Sequence, residues 1–462
     1  MDLKNVNRVY FVGIGGIGMS ALARYFRHLG KEVAGYDKTP TELTANLQKE
    51  GILVHFSDKA ADIPHEFTKN KNNTLVVYTP AIPPEHEGFN YLKTNGFNLL
   101  KRSEILGLIT SDYETIAIAG THGKTSVSTS VAHILKQSPL DCLAFLGGIS
   151  KNYGTNLVLP EKPEFHSRLS VAEADEFDRS FLRLSPAIAL ITSMDADHLD
   201  IYGNHASVVE SFNLFVKNIK PNGKLIYKKG LPLVSEYLPK SHYTYSLTEE
   251  ADFYAVNLKM ENNGIHVFDL MSPFGRIENL RSGVPGKTNA ENAVAAASVA
   301  LLAGLEADII RKNLAGFIGV KRRFDFVINN ERMVYVDDYA HHPEELKAFI
   351  GSMKEIFSTK KITGIFQPHL YSRTRDFSTG FAESLDLLDD LILLEIYPAR
   401  EKPIKGIDSG IIFDKMRLQS KIRCSVEELT GILKEKKPEV LLTMGAGNIG
   451  DKIEEIKAIY LK

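Results

Sequence analysis

The chain of 462 residues is longer than a single hydrophobic core usually supports, so roughly two to four domains are expected. Its 44% hydrophobic and 24% charged residues are typical of a globular protein, and a net charge of −2 argues against nucleic acid or an anionic membrane surface as a partner. The only two cysteines, Cys142 and Cys424, lack metal-ligand spacing and predict no disulfide framework, which favours a reducing cytoplasm.

The first region alternates strands and helices. Apolar, partly β-branched runs predict four strands, and the spacing of apolar residues over 19–29 predicts a helix that Gly30 ends. The predicted strands are 9–14, 31–36, 74–78 and 98–100. This order of elements is typical of a parallel sheet, and we predict a first domain over residues 1–108.

A glycine loop, Gly13-Ile-Gly-Gly-Ile-Gly18, lies between the first strand and the first helix. Such a loop places a pyrophosphate at the helix N-terminus, and Asp37, 24 positions after Gly13, stands where a ribose-binding acid could lie. NAD is the usual ligand of this pattern, but any nucleotide diphosphate satisfies the same physics. A glycine turn needed only for close packing of helix and strand is the structural alternative. The candidate ligand contacts are Gly15, Gly16, Ile17, Gly18 and Asp37.

The middle region begins a second series of strands and helices at Thr115. Further strands are predicted over 142–146, 169–173 and 187–192, and a helix over 289–302. Shorter β-type runs lie among turn signals and are predicted to pair antiparallel; they are 224–227, 253–258 and 265–270. We predict a second domain over residues 109–320.

The strand that starts at Thr115 leads into the loop Gly120-Thr-His-Gly-Lys-Thr-Ser126. In such a loop the backbone N–H groups face the phosphate oxygens of a triphosphate, the lysine reaches the outer phosphates, and the threonine hydroxyl holds Mg²⁺. The pattern is a variant, because Ile118 occupies the position of its first glycine. A tight strand–helix turn with a solvated lysine is the alternative. The candidate ATP contacts in this loop are Gly120, Thr121, Gly123, Lys124, Thr125 and Ser126.

Carboxylates and an imidazole follow two neighbouring predicted strands, in Glu173-Ala-Asp-Glu176 and Asp195-Ala-Asp-His-Leu-Asp200. Such side chains at adjacent strand ends suit a hard cation that bridges phosphate oxygens. We therefore predict Glu173 and His198 as contacts of a divalent cation. A solvated acidic loop that caps the following helices is the alternative.

The final third again alternates strands and helices, and we predict a third domain over residues 321–462. The predicted strands are 333–337, 361–367, 391–396 and 439–443, with a helix over 343–357. Ligands of open parallel sheets bind beyond the carboxyl ends of the strands. The polar segments at those ends are 337–342, 367–373 and 445–448.

Basic side chains of this third have a functional and a structural interpretation. An arginine of the Arg322-Arg323 pair could reach a γ-phosphate, because guanidinium groups match phosphate oxygens, and Arg373 is suited to bind a small carboxylate. The alternatives are a solvated arginine pair and, at His341-His342, polar loop histidines.

In combination, these motifs resemble those of the Mur ligases, the ATP-dependent amide-forming enzymes of peptidoglycan synthesis, through essentially the whole chain. They are most similar to the family members that join L-alanine to UDP-N-acetylmuramate. The motifs are Gly13-Ile-Gly-Gly-Ile-Gly-Met19, Gly120-Thr-His-Gly-Lys-Thr125, Glu173-Ala-Asp-Glu176, Asp197-His-Leu-Asp200, Asn289 with Asn292, Arg322-Arg-Phe-Asp325, Asp338-Tyr-Ala-His-His-Pro343, Phe366-Gln-Pro-His369 and Gly445-Ala-Gly447.

The resemblance implies three α/β domains, each with a largely parallel sheet and flanking helices: an N-terminal Rossmann-like domain for the UDP moiety, a central P-loop ATPase-like domain and a C-terminal Rossmann-like domain for the amino acid. It implies ATP, two Mg²⁺ sites, UDP-N-acetylmuramate and L-alanine, and we expect a monomer or homodimer. The implied contacts are Lys124 with phosphates, Thr125 with one Mg²⁺, Glu173 and His198 with the second, Asn292 and Asp338 with ATP, Arg323 with the γ-phosphate, and Tyr339, His341, His369 and Arg373 with L-alanine.

One position departs from the family pattern, because Leu370 follows His369 where the L-alanine-adding ligases commonly have arginine. The sequence is also compatible with three other functions. One is a ligase that reattaches recycled muropeptide to UDP-N-acetylmuramate, another is a nicotinamide-dependent oxidoreductase fused to an ATPase, and the third is a catalytically silent regulator.

Overall fold

The structure, a computed structural model, describes residue 3 and residues 6–161, 169–399 and 401–461. Contacts between residues divide the chain into two compact units. The first unit comprises residues 1–246, 250–253 and 295–313, and the second comprises 247–249, 254–294 and 314–462. No helix within the described ranges is long and apolar enough to cross a membrane.

The first unit begins with a sheet of five parallel strands. The strands are β1 (Arg8–Val12), β2 (Glu32–Tyr36), β3 (Leu53–His55), β4 (Thr74–Tyr78) and β5 (Asn98–Lys101). Their order is β3-β2-β1-β4-β5, so that β1 is central. The helices between and after them are α1 (Ile17–His28), α2 (Glu42–Lys49), α3 (His65–Thr68), α4 (Glu87–Thr94) and α5 (Arg102–Ser111). The four predicted strands are confirmed, whereas β3 was not predicted, because this short edge strand leaves Leu53 60% exposed.

A second set of strands in the first unit surrounds the buried strand that precedes the phosphate-type loop. These strands are β6 (Glu114–Ala119), β7 (Leu143–Phe145), β8 (Leu157–Val158), β9 (Leu169–Glu173), β10 (Ile188–Ile191), β11 (Lys224–Lys228) and β12 (Ser241–Ser246). They follow the order β12-β11-β10-β6-β9-β7-β8, and all these pairs are parallel except β7 with β8. The helices of this region are α6 (Lys124–Lys136), α7 (Leu199–Tyr202) and α8 (His205–Lys217).

The prediction that residues 224–227 pair antiparallel is wrong. They lie in β11, which is parallel both to β10 and to β12. The turn before β11 follows helix α8, so the chain crosses over and returns in the same direction instead of forming a hairpin.

The antiparallel prediction is confirmed for 253–258 and 265–270. They lie in β13 (Phe253–Met260) and β14 (His266–Ser272), and β15 (Gly275–Arg281) pairs antiparallel with β14. Helices α9 (Lys287–Leu302) and α10 (Ala307–Ala315) follow.

The second unit also contains a six-stranded sheet. Its strands are β16 (Asp325–Asn329), β17 (Val334–Asp338), β18 (Ile362–Phe366), β19 (Asp390–Leu394), β20 (Lys421–Cys424) and β21 (Val440–Met444). They follow the order β16-β17-β21-β18-β19-β20, with only β16 antiparallel. The helices are α11 (Pro343–Ile356), α12 (Tyr371–Leu385), α13 (Gly410–Phe413), α14 (Leu429–Glu435) and α15 (Ile453–Tyr460). The polar segments predicted at strand ends therefore share one edge of this sheet.

Helix α1 packs against both sets of strands in the first unit. The ring of Tyr25 meets that of Phe145 at 5.5 Å between centroids. The fully buried Asn156 donates hydrogen bonds to the carbonyl of Ile17 at 2.5 Å and to the hydroxyl of Ser20 at 2.9 Å. These contacts fix the first turn of α1, the turn that follows the first glycine loop.

Candidate nucleotide and substrate site

The loop between β6 and α6 has a backbone that requires its glycines. Gly120 has φ +135° and lies against the side chain of Thr192, where a Cβ could not fit, and Gly123 has φ +81° at the N-cap of α6. The N–H of Thr121 donates to the carbonyl of Ser193 at 3.2 Å. The segment after β10 therefore holds the loop in place through this hydrogen bond. The loop leads into the N-terminus of the 13-residue helix α6, where a phosphate is expected to bind.

Lys124 lies at the first position of α6, in contact with a buried carboxylate. Its Nζ is 2.7 Å from Glu176, which is 1% exposed, and it donates to the carbonyl of Gly120 at 2.5 Å. Burial alone would lower the pKa of Lys124, but the carboxylates of Glu176, Glu173 and Asp175 together raise this pKa above its ordinary value. The surrounding carboxylates therefore stabilise the protonated, positively charged form of Lys124.

Glu176 is a further member of this site that the sequence alone does not single out. Its carboxylate is 3.8 Å from Nε2 of His198, and its backbone carbonyl accepts a hydrogen bond from the hydroxyl of Tyr202 at 2.6 Å. It therefore connects two of the predicted site residues, Lys124 and His198. The only signal in the sequence was its place in an acidic segment after a buried strand.

Of the predicted Mg²⁺ contacts, Glu173 and Thr125 offer the oxygen atoms that a hard cation prefers, whereas the imidazole of His198 is a softer ligand. Glu173 ends β9 and packs against Gly147, where a Cβ could not fit, and Thr125 lies in the first turn of α6. His198 has φ +52°, and its backbone N–H donates a hydrogen bond to the carboxylate of Asp197 at 2.7 Å. Among the described residues no group of three or more His, Cys, Asp or Glu is arranged to hold a metal ion. Mg²⁺ commonly uses one or two carboxylates together with substrate phosphates and water, so these residues stay predicted ligands.

The first glycine loop is closed by Asp37. The N–H groups of Gly15 and Thr39 donate to its two carboxylate oxygens, at 2.7 and 3.2 Å. A Cβ on Gly15 would lie 2.8 Å from that carboxylate, so glycine is required there. Asp37 thus orders the loop, and its predicted contact with a ribose remains a prediction.

Gly16 is the N-cap of α1, and Ile17 and Gly18 form the first turn. Beside Gly18 lies the guanidinium of Arg102, whose Nη2 is 3.0 Å from Asp175. The charge of Arg102 is thus paired with Asp175, and the positive end of the α1 dipole is what favours the predicted pyrophosphate contact.

In the second unit, Arg322 is bound within its own sheet. Its Nε lies 3.2 Å from Asp337, which is 0% exposed, and its Nη2 donates to the carbonyl of Gly445 at 2.7 Å. The hydroxyl of Thr443 donates to the same carboxylate at 2.6 Å. Burial raises the pKa of Asp337 against the opposing effects of Arg322 and Thr443. Of the two adjacent arginines, Arg322 is thus structural, which leaves Arg323 as the predicted phosphate contact.

Asp338, the last residue of β17, accepts hydrogen bonds from the N–H groups of Phe324 at 2.7 Å and Ala340 at 2.8 Å. Burial raises the pKa of Asp338 to about 6, although Arg323 opposes this shift. The guanidinium of Arg323 lies 5.0 Å from the ring centre of Tyr339. The predicted contacts Asp338, Arg323 and Tyr339 are therefore neighbours.

The predicted amino-acid contacts form a continuous row in the second unit. The rings of Tyr339 and His341 are 5.5 Å apart, those of His341 and His369 are 6.3 Å apart, and a nitrogen of Arg373 is 3.4 Å from Nδ1 of His369. Arg373 is only 6% exposed. Nδ1 of His341 lies 3.0 Å from the backbone carbonyl of Tyr339, which orients the imidazole, and the backbone N–H of His341 donates to Glu345 at 3.0 Å.

Asn289 and Asn292 lie in the first turns of α9. The side chain of Asn289 donates to the carbonyl of Pro285 at 2.7 Å, and that of Asn292 donates to Asn289 at 3.4 Å. The contact of Asn292 with ATP stays a prediction.

Three sheets with flanking helices and a glycine loop before Lys124 are the arrangement expected of a nucleotide-dependent ligase, and the chain belongs to the Mur ligase family. Three family models match consecutive parts of it: "Mur ligase family, catalytic domain" over residues 8–114, "Mur ligase middle domain" over 118–300 and "Mur ligase, glutamate ligase domain" over 322–447. The fold class predicted from the sequence is confirmed.

Individual relatives are more specific. The chain is 52% identical to UDP-N-acetylmuramate–L-alanine ligase of Parabacteroides distasonis, over 100% of this chain and 99% of the relative. It is 50% identical to the ligase of the same name from Phocaeicola vulgatus, over 100% of both chains. The crystal structure of UDP-N-acetylmuramate–alanine ligase from Thermotoga maritima aligns with a TM-score of 0.83 and 26% identity, over 98% of this chain and 99% of that one. The predicted resemblance is thereby confirmed.

Proposed function

We propose that the chain joins L-alanine to the lactyl carboxylate of UDP-N-acetylmuramate, with conversion of ATP to ADP and phosphate, in the synthesis of peptidoglycan precursors. The observation that supports this most strongly is the full-length similarity to ligases of that name, at about half identical residues. The loop around Lys124 adds a physical basis, because it combines a glycine backbone, a helix N-terminus and a cationic side chain.

The chemistry follows from the substrate. A carboxylate is a poor electrophile, because its leaving group would be oxide. Attack of a carboxylate oxygen on the γ-phosphorus breaks the bond to the β-phosphate oxygen, releases ADP and gives an acyl phosphate. The amine of L-alanine then attacks the acyl carbon, and phosphate leaves with the former carboxylate oxygen. The protein contributes mainly positioning and charge neutralisation.

Named residues have separate parts in this proposal. Lys124 and Arg323 would neutralise the transferred phosphoryl group, and His341 or His369 would accept the proton that the amine loses. Two Mg²⁺ ions, held by Thr125 and by Glu173 with His198, would neutralise phosphate oxygens when bound. Exclusion of water would protect the acyl phosphate from hydrolysis.

The proposed assignment of domains keeps the boundaries expected from the sequence. Residues 1–108 would bind UDP-N-acetylmuramate, 109–320 would bind ATP, and 321–462 would bind L-alanine. We propose a cytoplasmic monomer or homodimer with no nucleic acid or membrane partner.

Phosphate release is the direct test of this function. Purified protein with ATP and Mg²⁺ is expected to release phosphate only when UDP-N-acetylmuramate and L-alanine are both present. A tripeptide that replaces L-alanine as acceptor would indicate the muropeptide-recycling ligase, and a fluorescence change on binding NADH would favour the oxidoreductase. Phosphate release that is indifferent to the UDP-linked sugar would contradict the proposal.

Replacing Arg373 with alanine is expected to raise the KM for L-alanine about 10- to 100-fold, because a charged hydrogen bond to the carboxylate is lost. The KM for ATP should stay within about twofold. Arg375→Ala is the matched control, since Arg375 is exposed and pairs with Asp376 at 2.7 Å. Initial-rate kinetics with each substrate varied separately measure both constants. A change confined to the KM for ATP would rule out a carboxylate contact.

A further inference from the structure

We propose that Glu176 is a positioning residue that holds Lys124 away from the nucleotide until a divalent cation binds, so that the pair couples ATP binding to Mg²⁺ binding. The inference rests on the proposed function in one respect, because it takes ATP as the ligand of the loop around Lys124.

Lys124 uses its full hydrogen-bond capacity in this structure. An ammonium group has three N–H donors and no acceptor. In this structure Nζ of Lys124 lies 2.5 Å from the carbonyl of Gly120, 3.4 Å from that of Thr121, and 2.7 and 2.9 Å from the two carboxylate oxygens of Glu176. Three acceptor groups therefore engage the three donors. Lys124 must give up at least one of these partners before it can donate to a phosphate oxygen.

The partner that competes with phosphate is Glu176. Its carboxylate is the anionic one of the three acceptors, and its side chain is 2% exposed. Phosphate and carboxylate present the same kind of anionic oxygen to an ammonium group. Glu176 would thus compete with an outer phosphate for the ammonium group of Lys124.

Movement of Lys124 to a phosphate leaves the negative charge of Glu176 uncompensated. A buried carboxylate that loses its cation is strongly destabilised. Glu173 and Asp175 are close enough to act electrostatically on the same Lys124, and they add like charge. His198, at 3.8 Å from Glu176, is the imidazole predicted to contact the cation. A divalent cation bound beside Glu173 and His198 would supply the missing positive charge.

Binding of ATP and binding of Mg²⁺ are therefore thermodynamically coupled. Without Mg²⁺, Lys124 stays with Glu176, and a triphosphate meets both an occupied lysine and a cluster of acids. With Mg²⁺, the cation compensates Glu176, and Lys124 becomes available to the phosphates. By linkage, ATP must then raise the affinity for Mg²⁺ by the same factor.

Glu176→Gln tests the coupling, because glutamine keeps the size of the side chain and removes its charge. Binding of the non-hydrolysable analogue AMP-PNP is measured by calorimetry with and without Mg²⁺. The variant is expected to bind AMP-PNP without Mg²⁺ about tenfold more tightly than the parent protein, because a charge-assisted hydrogen bond from Lys124 becomes available. The increase in affinity on adding Mg²⁺ should shrink accordingly.

Two controls separate this effect from simple removal of negative charge. Glu114→Gln removes an exposed acid at the start of β6, the end of that strand away from the loop, where it lies 3.4 Å from Lys220, and it should change Mg²⁺-free affinity less than twofold. In a Lys124→Met background, Glu176→Gln should give no gain, because no lysine is left to release. Thermal unfolding of each variant checks that it folds, and Glu176→Ala provides a second variant with the same expected gain.

Different results overturn different claims. An unchanged Mg²⁺-free affinity in folded Glu176→Gln, or a gain that persists in the Lys124→Met background, would overturn the role of Glu176 while leaving the ligase proposal intact. A parent protein that binds no AMP-PNP in the presence of Mg²⁺ would overturn the proposed function, and this inference with it.

Discussion

Replacing Lys124 with alanine is expected to lower the rate of L-alanine ligation about 10³-fold, while UDP-N-acetylmuramate still binds with unchanged affinity. Loss of one preorganised donor to a developing charge typically costs a factor of this order. Lys124 lies at the start of α6, and the predicted UDP contacts lie in the separate loop between β1 and α1. The two effects should therefore separate.

Coupled measurement of ADP production gives the rate, and calorimetric titration with UDP-N-acetylmuramate gives the affinity. Lys217→Ala is the matched control, since this exposed lysine of the same unit lies over the ring of Tyr237 and far along the chain from the loop. A Lys124→Ala variant that turns over as fast as the parent protein would exclude the loop as the ATP site.

The second large effect is on stability. Replacing Asp337 with alanine is expected to lower the free energy of unfolding of the second unit by about 2 to 3 kcal/mol. The substitution removes the buried partner of Arg322 and the 2.6 Å hydrogen bond from the hydroxyl of Thr443, which keeps only the hydroxyl of Tyr335 at 3.2 Å. Breaking such a pair from one side costs more than the pair contributes, because a charge remains unpaired.

Hydrogen exchange followed by mass spectrometry locates this effect, because Asp337 lies in β17 beside β21. Peptides from these two strands should lose protection, and those from β1 and β6 should keep it. Glu331→Ala, at an exposed position before β17, should change stability by less than about 0.5 kcal/mol. Equal protection of β17 in the Asp337→Ala variant and the parent protein would show that the pair contributes nothing.

The central strands were predictable from sequence because they are buried on both faces and therefore appear as continuous apolar runs. The predicted strands 74–78 and 169–173 coincide with β4 and β9. The strands that were not predicted lie at or near sheet edges, as β3 and β20 do, or are as polar as β12. Such strands are held by pairing with a neighbour, which local sequence does not encode.

The site was predictable where a motif fixes a backbone and unpredictable where two distant side chains meet. Gly120 and Gly123 predict a loop whose backbone conformation requires glycine. The role of Lys124 could be predicted from its place directly after that loop. The pairing of Lys124 with Glu176, 52 positions apart, and of Arg322 with Asp337 depends on tertiary distance. Sequence spacing alone gives no reason to choose Glu176 over its acidic neighbours.

In the proposed reaction, the lactyl carboxylate of UDP-N-acetylmuramate is activated by the γ-phosphoryl group of ATP. Oxygen transfer tests it most directly. UDP-N-acetylmuramate labelled with ¹⁸O in the lactyl carboxylate is incubated with ATP, Mg²⁺ and L-alanine, and the released phosphate is analysed by mass spectrometry. One ¹⁸O atom in each phosphate is the predicted result, and phosphate free of label, formed at the same rate as the amide, would contradict the account.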